Sequence, residues 1–317
     1  MVKMYLVILL YALFASVFTI AKTGLEISQP FFLVGTRMLL AGVLLLGYQA
    51  WINKEHFRFD RPIWKRIFLL GFLNIYLTNV LEFWGLKYLT SFKTCFIYSL
   101  SPFCSALFCY LLFGEKLASK KWLGLIVGFI GFVPILLSQT SSEQLTGQFF
   151  LFSWAEIAVT FAVIFSVYGW ILLSQLVKEN QLSPLTANGA SMLIGGIFAL
   201  AQSLAFETWD PIPVSDISLF LEVTLLLIII SNLICYNLYG VLLKRYSATF
   251  MSFAGFTTPL FTALYGWFFL GEVVTWPFYL SFIIVLIGLL IFDQSEIKSL
   301  KEKPLDDQKV GHEPAPY

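Results

Sequence analysis

The sequence predicts an all-α integral membrane protein with ten transmembrane helices arranged as two inverted five-helix repeats. Three features lead there: an apolar composition, an alternating distribution of basic residues and an internal duplication. Of 317 residues, 58% are hydrophobic and only 12% charged, and mean hydropathy is +0.81. A soluble domain carries about 25% charged residues. Ten spans of roughly 20 residues each leave only short connections and a tail, with no segment long enough for a water-soluble catalytic domain.

Apolar runs bounded by charges or turn residues place the spans. The first, near 4–21, follows Lys3; because it has a counterpart later in the chain, it reads as a span rather than a cleaved secretory signal. The second, 29–51, opens at Pro30, and the third, 64–86, follows a basic cluster that includes Arg58 and Arg61. The fourth, 88–113, stops at Gly114-Glu115, and the fifth, 120–138, begins at Lys120-Lys121. The sixth covers 149–177, the seventh 184–206 and the eighth 217–243, which ends at Lys244-Arg245. The ninth, 247–270, stops at Gly271-Glu272, and the tenth covers 274–292. Residues 293–317, rich in charge, Gln and Pro, are expected to form a disordered cytoplasmic tail.

Sixteen of the twenty Lys and Arg fall in one alternating set of connections and termini; the other set holds only Lys22 and Lys87. By the positive-inside rule both termini are cytoplasmic, as expected for a bacterial inner (plasma) membrane protein with an even number of crossings.

The chain also repeats itself. A shift of 157 residues brings Ser101-Pro102 onto Thr258-Pro259, Gly114-Glu115 onto Gly271-Glu272 and Gly131 onto Gly288. A shift of 154 brings Pro30, Gly35 and Gly42 onto Pro184, Gly189 and Gly196. Residues 1–140 and 141–292 therefore form two five-helix units, and an odd helix number makes them enter the membrane from opposite sides. Inverted repeats around a midplane site are a recurrent construction of secondary transporters.

Other chemistries lack residues. Cys95, Cys104, Cys109 and Cys235 sit in apolar runs without metal-ligand spacing, and the only histidines are His56 and His312. No metal or cofactor is expected, no basic face suits nucleic acid, and no Walker-type loop is present. A membrane enzyme would need a His, Asp or Cys cluster near one interface; a receptor or scaffold would not need the duplication.

Leu86-Lys87-Tyr88, Ser99-Leu100-Ser101-Pro102, Leu112-Phe113-Gly114-Glu115 and Trp122-Leu123-Gly124, together with the second copy ending Phe269-Leu270-Gly271-Glu272, resemble the EamA-like domain of the drug/metabolite transporter superfamily. Thr36-Arg37-Met38-Leu39 resembles that domain's second helix. The resemblance implies ten helices, a central pocket and transport of small organic metabolites without ATP, by a monomer or homodimer. It also implies an architectural role for Arg37. Phe92-Lys93-Thr94-Cys95 and Ser166-Val167-Tyr168-Gly169-Trp170 further resemble the S-adenosylmethionine carriers of obligate intracellular bacteria.

Charges inside spans are the exceptions to explain, since each costs roughly 2.5–3.5 kcal/mol at mid-depth on insertion scales. They are Arg37, Glu82, Lys93, Glu156 and Glu222. One reading pairs them internally, Arg37 with Glu82 for example. The other has Glu156 or Glu222 meet a substrate cation and Lys93 a substrate carboxylate. Helical spacing puts Asn74, Thr78 and Glu82 on one face and Asn232, Tyr236 and Tyr239 on another, so Asn74, Asn232 and Tyr236 are candidate pocket residues. Tyr98, Tyr168 and Trp170 are candidate ring-binding aromatics, able to stack on flat rings or hold cations. Pro102 and Pro259 are candidate hinges, while Gly114, Glu115, Gly271 and Glu272 terminate helices at symmetric positions. The expected substrate is a small zwitterion or cation with a planar ring. S-adenosylmethionine, exchanged for S-adenosylhomocysteine, fits this pattern; an aromatic or other amino acid, exported, is the alternative.

Overall fold

The computed structural model describes residues 5–52, 61–114, 119–138, 140–150, 152–179, 182–246 and 248–302. Two unbroken helices come first, α1 (Tyr5–Ile27) and α2 (Pro30–Ile52). Next, α3 (Arg61–Leu70) and α4 (Thr78–Tyr88) join through a π-helical turn, Gly71–Leu77. The helices α5 (Ser91–Ile97) and α6 (Ser101–Phe113) join through a 3₁₀ turn, Tyr98–Leu100. The first half ends with α7 (Ser119–Gly131) and α8 (Val133–Leu137), and a short α9 (Ser141–Gln144) leads into a hairpin of β1 (Gln148–Phe149) and β2 (Phe152–Ser153).

The second half repeats the plan. It contains α10 (Trp154–Lys178), α11 (Pro184–Phe206), and α12 (Ile217–Leu227) joined to α13 (Tyr236–Leu243) by a π-helical Ile228–Cys235. Then α14 (Ala248–Ala254) joins α15 (Thr258–Leu270) through the 3₁₀ turn Gly255–Thr257, and α16 spans Trp276–Glu302. Among the described residues, seven helical stretches are long and apolar enough to cross a membrane, and two shorter apolar stretches, Trp122–Leu137 and Trp276–Gly288, accompany them.

The duplication extends to backbone detail. The 3₁₀ turns at 98–100 and 255–257 lie 157 residues apart, as do Gly114 and Gly271, both left-handed at φ 67° and 64°. The widened π turns correspond too, and an asparagine serves each. Asn79 Nδ2 donates to the carbonyls of Asn74 and Ile75 at 3.2 and 2.9 Å; Asn237 Nδ2 donates to those of Asn232 and Leu233 at 3.0 and 2.9 Å. A π turn leaves carbonyls without their usual i→i+4 partners, and a buried carbonyl needs one.

Glycines set two close crossings between the halves. A Cβ on Gly42 would lie 2.9 Å from the Leu193 nitrogen, and one on Gly196 would lie 2.8 Å from that of Leu39. Gly35 meets Leu200, and Gly189 meets Leu46. Residue numbers rise on α2 as they fall on α11, so the two helices run antiparallel with reciprocal contacts. The same holds between α7 and α16, where Gly131 meets Val285 and Gly288 meets Gly128. Apolar helices in lipid associate through such close backbone approach. Gly288→Ala would put a methyl 2.6 Å from the Gly128 nitrogen. It is expected to lower the melting temperature in detergent, overpacking typically costing about 1–3 kcal/mol. Gly47→Ala, with nothing within 4 Å, should leave melting unchanged or raise it slightly.

Three boundaries differ from expectation. The first helix continues through Lys22 to Ile27, because the Lys22 ammonium donates to the carbonyls of Leu86 and Leu89, both at 2.7 Å, at the C-terminal end of α4. Lys22 is thus a helix residue, not a loop cation. The sixth span starts at Trp154 rather than 149, since Gln148–Phe149 pairs with Phe152–Ser153 as two short antiparallel strands. The last helix runs to Glu302, so residues 293–302 are helical where disorder was expected; the sequence there, through Lys298 and Lys301, favours helix. Residues 303–317 lie outside the described residues.

Candidate functional site

A cavity lies where the two halves meet. Five pairs of its lining residues are separated by the repeat distance of 157: Asn79 and Tyr236, Glu82 and Tyr239, Cys95 and Ser252, Tyr98 and Gly255, Ser101 and Thr258. Tyr11, Phe14 and Phe18 of α1, Arg37 of α2 and Ser166 and Trp170 of α10 also line it. The open core is narrow, about 120 Å³.

The two halves furnish the cavity differently. Among the described residues, its only charged lining residues, Arg37 and Glu82, come from the first half. Arg37 is 1% exposed, with its guanidinium 4.3 Å over the Phe83 ring and Nη2 donating to Asn79 Oδ1. Its Nε and Nη1 have no hydrogen-bond partner. A buried cation with unmade hydrogen bonds is costly, and a planar guanidinium presents those donors in the fork that matches a carboxylate. Glu82 accepts from the Tyr98 hydroxyl at 2.5 Å. The expected Arg37–Glu82 ion pair does not form, because Asn79 and the Phe83 face hold the guanidinium instead. Opposite charges thus share one cavity without neutralising each other directly.

Both halves supply aromatic surface: Tyr11, Phe14, Phe18 and Tyr98 from the first, Trp170, Tyr236 and Tyr239 from the second. The Trp170 and Tyr239 rings stack at 4.1 Å and 29°, and Tyr236 lies 5.2 Å from Trp170. Phe14 of α1 packs edge-on against both tyrosines. Asn79 also donates to the Tyr236 hydroxyl at 3.3 Å, joining the charged side of the cavity to the aromatic side.

Of the expected substrate residues, Tyr98, Trp170 and Tyr236 line the cavity, as do Arg37 and Glu82, which were expected to be structural. Others do not. Lys93 and Glu156 are buried and bonded to each other at 2.8 Å, and Lys93 also pairs with Glu143 at 2.6 Å. Glu156 further completes a capping box, accepting from the Ser153 backbone at 2.7 Å. Both charges are therefore consumed in tying the link between the halves to α5 and α10. Glu222 is exposed on the outer surface of α12, where the apolar neighbours Leu221 and Leu225 are exposed too.

Asn74 is buried against Gly169. Asn232 turns its amide to the sulfurs of Met38 and Met192 at 3.0 and 3.8 Å, and the Tyr168 ring packs on Phe108 at 5.7 Å. None of these three lines the cavity. Pro102 and Pro259 are buried beside the 3₁₀ turns at the starts of α6 and α15, positions where proline costs no helical hydrogen bond. Glu272 accepts from the Ser91 backbone at 2.7 Å and from its hydroxyl at 2.6 Å, joining the end of α15 to the start of α5. Glu115 lies outside the described residues. Sequence reasoning missed Asn79, Tyr11, Phe14 and Glu143; mapping Tyr236 back through the 157-residue shift would have found Asn79.

Comparison with known proteins agrees with the fold. Residues 2–137 and 153–292 each match the EamA-like transporter family. The S-adenosylmethionine/S-adenosylhomocysteine transporter of Chlamydia muridarum is 39% identical over 269 residues, covering 84% of each chain. The transporter of the same name from Chlamydia trachomatis serovar L2 is also 39% identical, covering 84% of this chain and 82% of that one. A crystal structure only 16% identical superposes with a TM-score of 0.66, covering 94% of this chain and 97% of the other, a likeness of fold. With both halves matched and relatives of this identity, the chain belongs to the EamA-like transporter family, whose members are multi-pass membrane transporters and not enzymes.

Proposed function

We propose that the protein carries S-adenosylmethionine across a bacterial inner membrane in exchange for S-adenosylhomocysteine. In this reading ten spans form two inverted five-helix repeats with both termini cytoplasmic. The repeats rock about the shared cavity to open it to either side in turn. The reciprocal antiparallel contacts of α2 with α11 and of α7 with α16 support the inversion. The 3₁₀ turns beside Pro102 and Pro259 are the candidate hinges.

One observation carries the substrate assignment: a guanidinium and a carboxylate, unpaired with each other, share a cavity with stacked rings. An amino-acid head group satisfies both charges, its carboxylate on Arg37 and its ammonium on Glu82 beside Tyr98. A purine ring suits the faces of Trp170, Tyr236 and Tyr239 (base stacking on an aromatic side chain is worth about 1–3 kcal/mol). The Chlamydia transporters, 39% identical, are named for a substrate pair with these two ends.

The test is uptake of labelled S-adenosylmethionine into vesicles containing the purified protein, with competitors. S-adenosylhomocysteine should compete strongly, whereas methionine and adenosine, each offering one end, should compete weakly. Trp170→Ala is expected to raise the half-saturating S-adenosylmethionine concentration about 5- to 150-fold, the range set by that stacking energy. Trp170→Phe, which keeps a ring, should fall between. Competition by aromatic amino acids without uptake of S-adenosylmethionine would reassign the substrate.

A further inference from the structure

We infer that the carrier is driven by membrane voltage: each exchange of S-adenosylmethionine for S-adenosylhomocysteine moves one positive charge across the membrane. The inference rests on the substrate pair proposed above. The two compounds share a carboxylate and an ammonium and differ by a methyl on sulfur, which gives S-adenosylmethionine a permanent sulfonium charge. Arg37 and Glu82 therefore face the same two groups in both halves of the cycle. A fixed acid makes the round trip with the carrier and cancels nothing, so the extra charge would be neutralised only by a second, titrating acid that returns protonated with S-adenosylhomocysteine, or by Glu82 itself carrying that proton.

The described residues offer neither. Glu82 is the only carboxylate lining the cavity. Glu156 and Glu143 are bound to Lys93, Glu222 faces outward on α12, and Glu272 is held by Ser91. Glu82 itself is needed as counter-ion to an ammonium present in both substrates, so its charge is the same in both half-cycles. The titratable groups around it are Tyr11 from α1, Arg37 from α2, Cys95 and Tyr98 from the fourth span, and Tyr236 and Tyr239 from the eighth; none is a second carboxylic acid. What remains for the sulfonium is ring faces, which attract a cation without cancelling its charge.

A unit charge crossing the full membrane potential gains about 2.3 kcal/mol per 100 mV, which corresponds to about a 50-fold change in a distribution ratio. The experiment uses vesicles containing the full-length protein, with S-adenosylhomocysteine fixed on both sides and a potential imposed by valinomycin and potassium. At 100 mV, inside negative, the inside-to-outside ratio of labelled S-adenosylmethionine should rise about 50-fold over its value at zero potential. Inside positive, it should fall by the same factor. Exchange of S-adenosylhomocysteine for itself should not respond. A ratio indifferent to voltage, with one proton appearing on the side S-adenosylmethionine leaves, would overturn the inference and make Glu82 a proton carrier. Vesicles that exchange neither compound would overturn the substrate assignment and this inference with it, an outcome distinct from voltage-independent exchange.

Discussion

Replacing Arg37 by glutamine is expected to weaken S-adenosylmethionine binding by about 30-fold or more, because losing one partner of a buried, hydrogen-bonded charge pair costs about 2–5 kcal/mol. The fold should survive, since glutamine leaves no buried cation behind and Asn79 keeps its own bonds to the Asn74 and Ile75 carbonyls. Arg37→Lys should also fail to restore full affinity. A lysine ammonium lacks the planar fork, and with it the free Nε and Nη1 donors that Arg37 presents. Equilibrium binding to purified variants, alongside their melting temperatures, separates loss of the site from loss of the fold. A variant that melts like wild type and still binds tightly would remove Arg37 from substrate recognition.

The second large effect concerns the charges outside the cavity. Lys93→Met would leave Glu143 and Glu156 buried together without their cation. Breaking a buried pair in this way typically costs about 3–5 kcal/mol, so the melting temperature should drop sharply. Adding Glu143→Gln and Glu156→Gln to Lys93→Met should recover most of the loss by removing the orphaned charges. Glu156→Gln alone should be mild, because Gln also serves in a capping box and Lys93 keeps Glu143. Its uptake of S-adenosylmethionine should stay within a few-fold of wild type. A specific loss of uptake in a stable Glu156→Gln protein would return Glu156 to the binding site.

The contrast between these two clusters shows what a sequence can disclose about a membrane carrier. Spans are legible because length and hydropathy are properties of the segment itself. The repeat is legible because proline and glycine matches survive in an otherwise interchangeable apolar background. Depth within a span is legible as well: it marked Tyr98, Trp170 and Tyr236 as residues a central cavity could use, and all three line it, but it marked Lys93 and Tyr168 equally, which do not, and it left Arg37 and Glu82 as structural residues. Depth does not give direction around the helix, and charge alone does not give its partner.

Glu156 shows why. The residues Ser153-Trp154-Ala155-Glu156 spell a capping box, a local signal that already accounted for the carboxylate before any substrate was invoked. Glu143, which completes the cluster, sits in the short α9 outside the apolar runs, so a search for charges within spans passed over it. Glu222 was misjudged through orientation, since its immediate neighbours Leu221 and Leu225 are also exposed. The π turns were illegible for a different reason. They depend on Asn79 and Asn237 satisfying freed carbonyls, and asparagine in an apolar helix reads equally as a pocket residue or a link between helices.

The central claim is that the cavity between the repeats holds a zwitterionic head group at one end and a flat ring at the other. A structure of the purified protein with S-adenosylhomocysteine bound tests it most directly. The ligand carboxylate should lie on the Arg37 guanidinium, the ammonium beside Glu82 and Tyr98, and the purine against Trp170, Tyr236 or Tyr239. Ligand density elsewhere, at the Lys93–Glu156 pair or on the outer faces of the helices, with Arg37 and Glu82 untouched, would contradict the account.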